Sequence, residues 1–143
     1  MILYLDTSSL LKCYIDEEHS GAVRAWLTAA AQAATSRVSL PEAAAALGRR
    51  HRQGDLTASG LRGAMGAVKV DWSAYAVVDV DEHLAAALAL RRSLRGFDAV
   101  HLAAALTLLE GLGHDQVAFT SFDDALNEAA RREGLLVLTP AED

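Results

Sequence analysis

Apolar residues fall into two rhythms along this chain. Short unbroken runs such as Ile2-Leu3-Tyr4-Leu5, Ala76-Val77-Val78 and Val117-Ala118-Phe119 alternate with stretches in which apolar positions recur at helical spacing. A short bulky run bounded by polar residues suits a parallel strand covered on both faces, whereas recurrence every three or four residues suits a helix packed by one side. The pattern predicts strands over residues 2–5, 75–80, 117–120 and 135–138, and a weaker one over 34–38 placed mainly by its position between two helices. Helices are predicted from Ser8 or Ser9 through Ile15, over 22–33, from Ser39 to about Gly54, over 56–70 and 82–94, from Phe97 onward, and from 121–124 onward. Strands alternating with helices imply a parallel α/β sheet.

Punctuation sharpens the helix starts. Ser8 or Ser9 can cap the first helix, Asp81 can cap the helix that follows it, and Asp98 falls in the first turn after the break at Gly96. Ser39-Leu40-Pro41-Glu42 carries an N-cap serine, a first-turn proline and a capping-box glutamate, so Glu42 has a local structural explanation of its own. Gly60, Gly63 and Gly66 follow no strand and make no phosphate loop.

Composition narrows the class. A chain of 143 residues with 52% hydrophobic and 22% charged residues is expected to form one globular domain over 1–143. Cys13 is the single cysteine, which excludes an intrachain disulfide and a thiolate zinc site and fits a reducing, cytoplasmic setting. No basic n-region precedes residue 2, and the most apolar stretch, 99–112, is interrupted by His101, Thr107 and Glu110 and too short to span a bilayer. The formal charge of −6 argues against binding nucleic acid by bulk charge. Two local groups oppose that sum, Arg49, Arg50 and Arg52, and Arg91, Arg92 and Arg95; each is explained equally well as a solvated helix face.

The acids change the picture most. Asp6 ends the first strand, Glu42 follows the second, Asp98 opens the helix after Gly96, and Asp123 follows the fourth strand. Connections leaving parallel strands emerge at one sheet edge, where open α/β sheets bind ligands, so these four can meet. Carboxylates sharing a pocket repel unless they share protons or hold a cation, and Mg2+ is a hard ion suited to oxygen ligands. Such a site suits hydrolysis of phosphodiesters. Each acid taken alone is better explained as a cap or dipole partner.

Asp6-Thr7-Ser8-Ser9-Leu10-Leu11-Lys12, Glu42, Phe97-Asp98-Ala99 and Thr120-Ser121-Phe122-Asp123, in this order over essentially the whole length, resemble the PIN-domain ribonucleases, most closely the VapC-like toxins of bacterial type II toxin-antitoxin pairs. The resemblance implies a three-layer fold with a five-stranded parallel sheet flanked by helices. It also implies Mg2+ or Mn2+ dependence, RNA cleavage, a homodimer and inhibition by a cognate antitoxin. Carried onto this chain, Asp6 and Asp98 are the principal metal ligands, Glu42 a ligand or base-side carboxylate and Asp123 the fourth acid. Thr7 and Ser121 are the supporting hydroxyls, and Arg49, Arg50 and Arg52 are candidates to guide RNA. A shift by one would make Asp124 the ligand and Asp123 the cap; Asp123 is preferred because Asp124 stands three residues after Ser121, in a capping-box position.

His101, one turn from Asp98, reads as a packed or supporting histidine, and His19, His51, His83 and His114 have no ligand spacing. Lys12 is either a phosphate contact or a solvent-facing lysine; Trp26, Trp72 and Tyr75 read as core or interface residues. A haloacid-dehalogenase-like enzyme needs a second Asp where Ser8 stands, and a response receiver needs an acidic pair that Tyr4-Leu5 does not supply. A PIN-like module that binds protein or RNA without cutting is the remaining alternative, although no expected carboxylate is missing.

Overall fold

Strand β1 (Ile2–Leu5) is the middle of five because nearly all of it can be buried: Leu3, Tyr4 and Leu5 are at most 2% exposed. The computed structural model of this chain describes residues 1–141. β1 pairs in parallel with β2 (Gln32–Ser36) on one side and β4 (Val117–Thr120) on the other. β3 (Ala76–Val78) and β5 (Leu136–Val137) complete an all-parallel sheet in the order β3-β2-β1-β4-β5. The chain therefore winds in opposite directions on either side of β1, and a crevice is expected at the carboxyl ends of the strands there.

Among the described residues, seven α-helices connect the strands: α1 (Thr7–Lys12), α2 (Ser20–Ala29), α3 (Ser39–Arg52), α4 (Ala58–Asp71), α5 (Glu82–Arg92), α6 (Gly96–Leu112) and α7 (Asp124–Arg132). Alternate side chains of β1 feed opposite layers. Leu3 and Leu5 pack with Leu10 and Val23 beneath α1 and α2. Tyr4 faces the other way and stacks on its register partner Phe119, ring centroids 5.7 Å apart, within a core built from α5, α6 and α7. Burying each such large side chain contributes about 1.5–3 kcal/mol. Leu11, Ala43, Leu47 and Ala64 tie α1, α3 and α4 together at one end. This is the three-layer arrangement of an all-parallel five-stranded sheet expected from the sequence. Among the described residues, no helix is long and apolar enough to cross a membrane.

The boundaries differ in instructive places. The alanine-rich helix expected over 22–33 stops at Ala29, and Gln32 and Ala33 join β2, aligned with Ile2 and Leu3; cross-strand bonding to the central strand overrides alanine's helix preference. Arg37 and Val38 consequently leave the strand. Val38, not Ser39, is the N-cap of α3, and the Ser39 hydroxyl is buried 2.6 Å from Thr35 Oγ1. Neither Ser8 nor Ser9 caps α1; Asp6 does. The strand expected over 75–80 shortens to Ala76–Val78, that over 135–138 to Leu136–Val137, and the helix over 82–94 ends at Arg92, where Ser93 turns left-handed. Asp81 does cap α5, its side chain accepting from Leu84 N.

Candidate active site

Four helices start along the carboxyl edge of the sheet, and each brings one acid there. Asp6 is the N-cap of α1, Glu42 lies in the first turn of α3, Asp98 in the first turn of α6, and Asp123 is the N-cap of α7. The partial positive charge of a helix N-terminus favours a carboxylate, so the fold itself stabilises this concentration of acids. All four line one cleft of about 600 Å³, together with Thr7, Lys12, Arg49, Arg50, Arg95 and His101. Asp6 and Asp123 thus cap their helices and line the cleft with the same carboxylates.

Asp6 is 5% exposed and firmly held. Its Oδ1 accepts from Ser8 Oγ (2.7 Å) and Ser9 N (3.0 Å), and its Oδ2 from Ser121 Oγ (2.6 Å). Ser121 Oγ also accepts from Asp123 N, and Ser8 Oγ from Phe122 N, so two hydroxyls stitch the end of β1 to the end of β4. Ser121 therefore supports Asp6, and it does not cap α7.

Glu42 is not turned back onto its own helix as a capping box requires. Its Oε1 accepts from Thr7 Oγ1 (2.6 Å) and lies 2.8 Å from His101 Nε2. Burial pushes the Glu42 carboxyl up, but the hydrogen bonds from His101 and Thr7 outweigh it and hold the group below its ordinary value. His101 is 2% exposed, and its Nδ1 lies 2.8 Å from Tyr4 Oη. Burial, with the charges of Asp6 and Glu42, pushes the Tyr4 hydroxyl well above its ordinary value, so it stays protonated and donates to Nδ1. That assigns the Nε2–H tautomer, with Nε2 donating to Glu42.

Asp98 and Asp123 share one cation. Arg95, just ahead of α6, places Nε 3.0 Å from Asp98 Oδ2 and a terminal nitrogen 3.0 Å from Asp123 Oδ2. Burial pushes Asp98 up; Arg95 pulls it back, and the charges of Asp123 and Asp6 add to the rise, leaving it above the ordinary carboxylate value. Asp124 turns to a separate cleft lined by His19, Asn127 and Thr139.

The basic candidates divide. Arg49 and Arg50 line the cleft, but Arg50 is paired with Glu17, and Arg52 lies outside the lining. Lys12 is neither solvent-facing nor free: it is 12% exposed, bonded to Glu17 and the Glu18 carbonyl, and sits 4.5 Å over the Phe122 ring. Arg91 and Arg92 grip Glu133, the C-cap of α7. Tyr4 and Arg95 were not singled out from sequence, Tyr4 because its apolar run reads as core and Arg95 because it reads as one of three surface arginines.

Among the described residues, no three His, Cys, Asp or Glu side chains stand close enough together to hold a metal ion. The donors nevertheless fit one chemically. All four are carboxylates, the ligand type of a hard divalent cation, and a guanidinium already bridges two of them as a stand-in charge.

Comparison with known proteins agrees with this geometry. The PIN domain family profile matches residues 3–132. Two ribonucleases of Mycobacterium tuberculosis, VapC45 of strain CDC 1551 and VapC49 of strain H37Rv, are each 34% identical to this chain, over 99% of it and 96% of their own length. A solved toxin-antitoxin complex from Klebsiella pneumoniae contains a chain of the same fold, with a TM-score of 0.61 at 16% identity over 99% of both chains.

Proposed function

From the premise that this chain belongs to the PIN-domain family, we propose that it is a VapC-type toxin ribonuclease acting in the cytoplasm. The observation that carries this reading is the convergence of Asp6, Glu42, Asp98 and Asp123, from four helix N-termini, on one cleft. Asp6 and Asp98 are the principal ligands of a divalent cation, Mg2+ or Mn2+, with Glu42 and Asp123 completing the acidic set. Such a cation supplies Lewis acidity, offsetting charge on the scissile phosphate and making a water easier to deprotonate.

The chain's own residues do the rest. Ser8, Ser9 and Ser121 fix the Asp6 carboxylate in one orientation. Thr7 and His101 hold Glu42 through Oε1 and keep it ionised, so the carboxylate is ready to accept a proton from an attacking water. Arg49 at the cleft wall attracts the RNA backbone to an otherwise acidic protein. The whole chain acts as a single PIN domain, as a homodimer, and a cognate antitoxin protein silences it.

The products test the chemistry. Water attack leaves 5′-phosphate and 3′-hydroxyl ends on a labelled RNA. Cyclic-phosphate ends overturn the reading, and tight RNA binding without any cleavage in Mg2+ or Mn2+ favours a non-cutting binding module instead.

A further inference from the structure

Arg95 is an unusual member of the cleft. Its side chain is 78% exposed, yet its guanidinium joins two acids that stand on different elements, Asp98 in α6 and Asp123 at the start of α7. A guanidinium placed between two carboxylates offsets half of the charge that a divalent ion would, and the two cannot both occupy those oxygens at full strength. Exposed ion pairs are individually weak, so the guanidinium is easily released. Among the described residues, both of its ion pairs are with these two acids. A second cleft, lined by Glu42, Gly96, Phe97 and Asp98, adjoins it.

We propose that Arg95 is an exchangeable counter-cation: it bridges Asp98 and Asp123 in the metal-free protein, gives up these carboxylates to an entering divalent cation, and turns its guanidinium to the phosphate of the bound RNA. The inference rests on the cation site proposed above. It makes Arg95 a phosphate-positioning residue for the reaction. Its fork of donors suits a phosphate as well as it suits two carboxylates, whereas a lysine at this position offers only a point charge. The exchange also explains why a cleft meant for an anionic strand is so acidic at its floor: the acids are neutralised in turn, first by Arg95 and then by the cation, which frees the arginine as the strand arrives.

The test needs no cleavage. Mn2+ is titrated calorimetrically into the wild type, Arg95→Gln, Arg95→Lys and Asp98→Asn. Removing the competitor should tighten Mn2+ binding to Arg95→Gln by about threefold to tenfold, since two exposed ion pairs no longer oppose it; Arg95→Lys should fall between that variant and wild type. Adenosine 5′-monophosphate, which carries a terminal phosphate and no diester to cut, is then titrated into each protein with Mn2+ present. It should bind Arg95→Gln about tenfold more weakly than wild type, the loss expected when a charged hydrogen-bond partner is removed. Unchanged or weaker Mn2+ binding by Arg95→Gln overturns the exchange, and unchanged nucleotide binding overturns the phosphate role. If Asp98→Asn takes up Mn2+ as wild type does, the cation site itself fails, and that failure is distinguishable because it does not involve Arg95.

Discussion

His101 Nε2 lies 2.8 Å from Glu42 Oε1, and behind it Tyr4 Oη lies 2.8 Å from His101 Nδ1. A buried tyrosine of the central strand thereby sets the tautomer of a histidine in α6, which orients an acid of α3 at the cleft. The core and the site are joined at this point, and the strand that organises packing also organises a carboxylate.

Removing the Tyr4 hydroxyl should therefore reach the cleft. Tyr4→Phe keeps the ring stacked on Phe119 but leaves His101 Nδ1 buried without its donor, at a cost of about 1–3 kcal/mol. Urea unfolding should show a lower midpoint with an unchanged slope, and RNA cleavage should fall without vanishing, because Glu42 keeps Thr7. An unchanged midpoint would show that the hydroxyl supports nothing.

Glu17, a further acid lining the cleft beside Lys12 and Arg50, gives a pH signature of its own. Burial pushes it up, yet hydrogen bonds from Arg50 and Lys12 leave it below its ordinary value. A carboxyl depressed in the folded state contributes stability above its unfolded value of about 4.3 and loses it as pH falls through the folded value. Glu17→Gln should thus be less stable than wild type at pH 7, by about 1 kcal/mol. The two melting curves should converge in acid. A constant gap down to low pH would contradict the assignment.

Asp98 separates site from scaffold. Asn keeps the size of the side chain, and neutralising a carboxylate that its surroundings already push toward the protonated form should raise the melting temperature in EDTA, with a gain of up to about 1 kcal/mol. Added Mn2+ should stabilise wild type and leave Asp98→Asn much less affected. Equal melting in both conditions would remove Asp98 from the site.

Thr57 supplies the control. It caps α4 through Gly60 N, on an exposed face outside the cleft, so Thr57→Ala should cost about 1 kcal/mol and leave cleavage intact.

The alternation of apolar runs and helical periods was enough to read the parallel sheet, because Ile2 to Leu5 and Val117 to Thr120 leave no other reading at their length. The acids were legible as a set for the same reason: strand order carries them to one edge. Caps were less legible. Ser8, Ser9, Ser39 and Ser121 all look like helix starts, but each hydroxyl is drawn to a partner outside its own helix, while Asp6 and Asp123 cap as well as line the cleft. Whether a serine caps its own helix or reaches another strand depends on what the fold places opposite, and local spacing does not hold that information. The same holds for Arg95, whose partner Asp123 lies 28 residues away.

Cleavage of one labelled single-stranded RNA by wild type, Glu42→Gln and Asp98→Asn, with Mn2+ and with EDTA, bears most directly on the proposed site. Wild type should cut only with the cation, and both variants should lose at least about a hundredfold in rate while remaining folded, as expected when a general base or a cation ligand is removed. Full wild-type cleavage in EDTA, or undiminished cleavage by either variant, would contradict the proposed site.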